Sequence, residues 1–152
     1  MQGINLADDS IEAFGGFEPM TPGRYLIQCI ESEYRNDYSD NTKEGFNLRF
    51  EVVEPAEYEG RNVWKHLVFP NNDDQKFDAA LRFLKGALIA LGFGNEDLAA
   101  ISTPAEFDEE NFIGRKCIAD INIQEYSGKK SNNIRNMYTE DEAELGGGDN
   151  LP

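Results

Sequence analysis

An all-β domain carrying one helix is what the sequence predicts, and three observations carry the prediction. Four stretches alternate apolar and polar residues with period two, as half-buried strands do. Between the third and fourth, one stretch instead repeats apolar residues at spacings of three and four, as an amphipathic helix does. No strand-helix-strand unit recurs, which disfavours a doubly wound parallel sheet. The chain has 152 residues, a length that suits one domain and buries a core without disulfides or metal.

The first strand opens at Pro22-Gly23-Arg24-Tyr25 and runs to Glu31, with Tyr25, Ile27 and Cys29 on one face and Leu26 and Ile30 on the other. Residues 34–44 are polar and turn-rich and read as a loop. Phe46, Leu48, Phe50 and Val52 form the inward face of a second strand, which Pro55 ends. A third strand covers 61–69 and stops at Pro70. Asn72, Asp73 and Asp74 are expected to cap the helix and to place acids in its first turn. Its apolar stripe is Phe77, Leu81, Leu84, Leu88 and Leu91, and Gly92 closes it. Residues 95–113 read as short helical turns and loop, broken at Pro104. The fourth strand is Lys116–Tyr126, then a turn over 127–131 leads into a short fifth strand around 133–138. Three strands, a helix and two strands is the order of an OB-fold, a five-stranded barrel that often binds oligonucleotides through strands 2–3 and the loops after strands 1 and 4. A β-sandwich would want about seven strands.

Charge divides the chain. There are 29 acidic and 14 basic side chains, for a formal net charge of −15. All the Lys and Arg lie between Arg24 and Arg135. The expected organisation is an acidic N-terminal extension over 1–20, the barrel over 21–138, and a disordered acidic tail over 139–152 carrying Glu140, Asp141, Glu142, Glu144 and Asp149. The net charge speaks against a phosphate partner, but the ends hold nine acids and no base, so the cations are concentrated where a groove would be. No apolar run reaches the roughly 18–20 residues of a membrane span, and the start has no basic signal-peptide region. A cytoplasmic location is expected. Cys29 and Cys117 sit in strand-like runs and read as two reduced core thiols. With one histidine, His66, and no CxxC, neither zinc nor any other metal or cofactor is expected.

On an OB frame, aromatic and cationic residues interleave where a single strand would be gripped. The loop after strand 1 supplies Tyr34, Arg35, Tyr38 and Lys43. Strands 2 and 3 supply Arg49, Trp64, Lys65 and His66. The loop after strand 4 and the strand beyond it supply Tyr126, Lys129, Lys130 and Arg135. On strand 3 either Val63, Lys65, Leu67 and Phe69 or Trp64, His66 and Val68 point outward. Taken singly, Trp64 and Phe50 read first as core residues, Lys129 and Lys130 as a solvated turn, and His66 as structural. Bases stack on aromatic rings without their sequence being read, cations neutralise phosphates, and no side-chain set looks like a code for base edges, so sequence-tolerant binding of a single strand is expected. No GxGxxG, Walker loop, HExxH or GxSxG is present, so no catalytic residue is expected. The acids at 106–110 and 140–144 read as solvated charge runs.

The residues also carry a family likeness. Pro22-Gly23-Arg24-Tyr25, Leu48-Arg49-Phe50-Glu51-Val52, Tyr58-Glu59-Gly60-Arg61-Asn62-Val63-Trp64, the helix end from Leu84 to Gly92, and Gly114-Arg115-Lys116 occur in order over roughly 17–138. This set resembles a bacteriophage family long catalogued as a domain of unknown function and regarded as single-stranded DNA-binding proteins with an OB-fold. The resemblance implies coating of single-stranded DNA in phage replication or recombination. The acidic tail also resembles those of other single-stranded DNA-binding proteins, which implies that it competes with DNA and docks phage replication or recombination proteins, although this chain ends in Leu151-Pro152 and not in an aromatic residue. Two rival functions remain: an acidic DNA mimic or adaptor that occupies a nucleic-acid enzyme, and a carboxylate-metal nuclease. An exposed fifth strand could also support a homodimer by edge pairing.

Overall fold

The structure is a computed structural model that describes residues 18–140. Most of the expected N-terminal extension, and Asp141, Glu142, Glu144 and Asp149 of the expected tail, lie outside the described residues. Five strands form one open, antiparallel sheet: β1 (Gly23–Asp37), β2 (Lys43–Glu54), β3 (Asn62–Val68), β4 (Lys116–Tyr126) and β5 (Lys129–Tyr138), in the spatial order β3-β2-β1-β4-β5. A long helix (Phe77–Ala90) and a short one (Asn95–Ile101) follow β3, and three 3-10 turns complete the described elements. The mostly β class with one principal helix between the third and fourth strands is therefore as the sequence predicts.

The inward faces of the strands meet the long helix through Leu84, Ala87 and Leu88. Phe46, Leu48, Phe50 and Val52 are all fully buried, as their alternation requires. Phe46 is the centre of an aromatic cluster, with Phe112 at 4.9 Å, Tyr34 at 5.8 Å and Phe107 at 6.2 Å between ring centroids. Cys29 and Cys117 are free and buried in the same core, where desolvation pushes their thiols up to about 11 and about 12. Gly45 lets β2 approach β3 closely: a Cβ there would stand 2.2 Å from the Leu67 carbonyl oxygen.

Four expectations need correction. The polar stretch 34–44 is not a loop. β1 continues to Asp37, and the chain reverses in a tight left-handed tip whose Ser39, Asp40 and Asn41 have φ of 51°, 57° and 68°. A β-bulge makes the extension possible. Cys29 pairs with Phe50 and Glu31 with Arg49, so Ile30 is an extra residue that reverses the alternation. Beyond it Ser32 and Tyr34 turn inward while Glu31 and Glu33 face solvent. The second correction concerns β5, which begins at Lys129 because Ser127 and Gly128, both with positive φ (53° and 79°), make a two-residue hairpin turn. Third, Asn72–Asp74 do not cap the long helix, which starts later, after Lys76. Asp74 instead pairs with Lys43 at 2.7 Å and accepts from the Asn71 N–H at 2.9 Å. Last, Leu81 is exposed, because the helix rests on a face shifted toward Ala87 and Ala90.

Candidate nucleic-acid interface

The outward face of β1–β3 is built by register. Arg49 stands between Glu31 and Trp64, and Asn47 stands between Glu33 and His66. The strand-3 alternative is thereby settled: Val63 and Leu67 are buried, while Trp64 and His66 are exposed. Trp64 is 53% exposed, against 0% for Phe50. Of the two aromatics that read singly as core, only Phe50 is.

Beyond the β1 bulge, β4 no longer pairs with β1, and residues 109–115 cover that edge instead. The Cys29 N–H donates to the Arg115 carbonyl at 2.9 Å and the Gly114 N–H donates to the Cys29 carbonyl at 2.8 Å. The Tyr34 N–H donates to the Glu109 carboxylate, and the Ser32 hydroxyl to the Glu109 carbonyl. This segment forms a second wall opposite Trp64. The result is an open groove of 840 Å³ with Glu31, Glu33, Asn47 and Arg49 on its floor, Trp64 on one side, and Glu109, Glu110 and Ile113 on the other. Asn47 Oδ1 and Arg49 Nε are buried in it without a hydrogen-bond partner.

Toward the hairpin tip the same face carries a second group. The Tyr38 hydroxyl and His66 Nδ1 are 2.7 Å apart, with the rings edge to face at 5.3 Å. The Arg35 guanidinium lies over the Tyr38 ring at 5.6 Å and forms a two-point pair with Asp37 at 3.0 and 2.8 Å. Burial, reinforced by the Arg35 and Lys65 charges, holds the His66 imidazole below its ordinary range.

The expected residues therefore separate. Arg35, Tyr38, Arg49, Trp64 and His66 share one face. Tyr126, Lys129 and Lys130 stand exposed at the tip of the β4–β5 hairpin, where Tyr126 is 84% exposed and pairs across the turn with Lys129. Arg135 is the extra residue of a bulge in β5 and is exposed there. Three expectations fail in their detail. Tyr34 is not a loop aromatic: it packs on Phe46, and its hydroxyl donates to Glu44 at 2.7 Å. Lys43 is tied to Asp74. Lys65 points inward, its ammonium donating to the Ile134 carbonyl at 3.2 Å and lying 4.7 Å from the Phe83 ring centroid. Burial lowers its pKa, the opposite of what a phosphate-binding lysine needs. Asn47 lies on the binding face of β2 as the alternation of that strand predicts, whereas Glu31, Glu33, Glu109, Glu110 and Ile113 were not foreseen as parts of a site. They reach it through the bulge and the 109–115 cover, neither of which leaves a periodic signal.

Among the described residues, no group of three or more His, Cys, Asp or Glu side chains is placed to hold a metal ion, and no helix is long and apolar enough to cross a membrane. No curated protein matches the chain. A family model described as protein of unknown function (DUF669) matches residues 7–144, a span that takes in the whole sheet, both helices and both walls of the groove. The chain belongs to that family.

Proposed function

We propose that this protein binds single-stranded DNA on the outward face of β1–β3, without catalysing a reaction, and that it coats single strands in phage replication or recombination. The observation that carries the reading is Trp64, a large aromatic held out of the core on a strand face, with Arg49 across the ladder from it. An exposed tryptophan offers a stacking surface to any base, worth about 1–3 kcal/mol. The neighbouring Tyr38–His66 pair extends that surface toward the tip. Lys129 and Lys130 on the hairpin arm supply charge for the backbone.

The strand order supports an OB-fold beneath this face. β3 and β5 are the two sheet edges, and the Lys65–Ile134 hydrogen bond joins them. Further pairing along those edges would close the sheet into the five-stranded barrel. The same closure would leave β5 little free edge for a homodimer. The acidic tail would compete with DNA for the cations and dock replication proteins. A second reading, an acidic mimic of DNA, is favoured by Glu31, Glu33, Glu109 and Glu110 around the groove.

Trp64 is the single tryptophan of the chain, so its fluorescence reports the site directly. Titration with single-stranded oligo-dT is expected to quench it, with an affinity that falls as salt rises. An unquenched, salt-independent signal would favour the mimic. Cleavage of the oligonucleotide with magnesium would favour a nuclease.

A further inference from the structure

The groove beside Trp64 has the wrong charge for a phosphate and the right shape for a base. Glu31, Glu33, Glu109 and Glu110 surround one guanidinium, Arg49, which Glu31 already engages at 3.3 Å. A phosphodiester placed there would meet uncompensated like charge. The apolar parts of the walls are Trp64 and Ile113, 53% and 48% exposed, standing on β3 and beside β1. Three strand spacings, about 14 Å, separate those positions, enough for a flat ring to enter edge-first between them. On the floor, Asn47 Oδ1 and Arg49 Nε are shut off from water and unpartnered. Such groups cost stability until something pairs with them, and the Asn side-chain torsion that would present the amide to an occupant is soft.

We infer that this groove holds one nucleobase of the bound strand and selects bases that carry an amino group on their pairing edge. The inference rests on the single-strand reading above and adds base preference to it. Carboxylates only accept hydrogen bonds. Guanine offers them N1–H and its exocyclic amino group together, and cytosine and adenine each offer an amino group. Thymine offers one N–H between two carbonyl oxygens, which the carboxylates repel. Glu33 and Glu110 are the acceptors for the base, since Glu31 is held by Arg49 and Glu109 by the Tyr34 N–H. Guanine is the preferred occupant and thymine the poorest.

The test compares oligo-dT with the same oligomer carrying one central dG, dC or dA, by fluorescence anisotropy at fixed salt. A good base-edge contact discriminates by roughly 5- to 150-fold, so the oligomer with dG is expected to bind tighter than oligo-dT by a factor in that range. The double variant Glu33→Gln, Glu110→Gln changes only exposed side chains and is expected to abolish the difference, because an amide can donate to the thymine carbonyls. Equal binding of all four oligomers overturns the base pocket and leaves single-strand binding standing. A preference that survives in the double variant overturns readout by these carboxylates. Failure of every oligomer to bind overturns both readings together.

Discussion

Three neighbouring side chains of β3 have separate tasks. Replacing Trp64 with alanine removes the stacking surface but no fully buried group, so the loss belongs to binding. Affinity for oligo-dT is expected to fall by about 5- to 150-fold, equivalent to roughly 1–3 kcal/mol, while the melting temperature holds. His66 responds to pH. Its folded pKa lies below the ordinary 6.5, first through burial and then through the Arg35 and Lys65 charges. A depressed pKa means that the neutral ring contributes stability above the unfolded value, and that this contribution is lost as pH falls through the folded one. The single histidine resonance should therefore titrate with a midpoint under 6.5, and Arg35→Gln should raise that midpoint. Lys65 is tied into the fold. Lys65→Ala is expected to lower stability by about 1–2 kcal/mol, because it removes the Ile134 hydrogen bond and the packing on Phe83, and to leave the salt dependence of binding unchanged. Sequence alternation could place Trp64 and Lys65 on opposite faces but could not say which face was outward. The decision rests on Leu67 and Val63, whose burial carries Lys65 inward with them, its long stem packing while its ammonium reaches a carbonyl.

Among the elements, β2 and the β4–β5 hairpin make contrasting demands. Gly45→Ala would drive a methyl group into the backbone of β3 at Leu67, where no flexible side chain can give way. A loss of at least about 2 kcal/mol in chemical denaturation is expected, with Gly86→Ala, whose added Cβ meets nothing within 4 Å, as the harmless control. The arm is the reverse case: from Ile123 to Ser131 every residue is exposed. Lys129→Ala with Lys130→Ala should leave stability unaltered. It should also flatten the plot of log affinity against log salt by about 1.4, or roughly 0.7 for each phosphate that is no longer neutralised. The strands were legible wherever one register ran unbroken, as from Phe46 to Val52. They were illegible where an extra residue reset the register. At Ile30 the parity of β1 reverses, so the tyrosine and acids after it look like loop composition although they lie on a strand. The missing helix cap has a similar origin: Asp74 has the right chemistry for capping, but Lys43 and the Asn71 N–H compete for it successfully.

At the scale of the whole molecule, the net charge of −15 bears on the proposed ligand less than its size suggests, because the ends of the sequence hold nine of the acids and no base. Even the outward face is mixed, its arginines already matched to Glu31 and Asp37, which predicts modest, salt-sensitive binding. Truncation after Glu140 removes four acids and no base. It is expected to tighten binding several-fold at low salt, with the gain vanishing once the Debye length drops well below about 10 Å; weaker binding after truncation would show that the tail does not compete. The overall class was readable from the succession of periodicities, because period and order survive local bulges. The groove was not, because it joins β1, β3 and residues 109–113, which are brought together only by the sheet order. That order has a mechanical meaning as well. The described chain enters the sheet at its centre, as β1 between β2 and β4, and leaves it at an edge, as β5. A pull on the C-terminal end peels β5 from β4 from Tyr138 onward, against one ladder, the core contacts of Met137 and Ile134 and the Lys65–Ile134 hydrogen bond. A pull on the N-terminal end must shear β1 against two neighbours at once. The fold is thus a ratchet in its resistance to force, soft toward a machine that draws in its tail and stiff toward one that starts from its head.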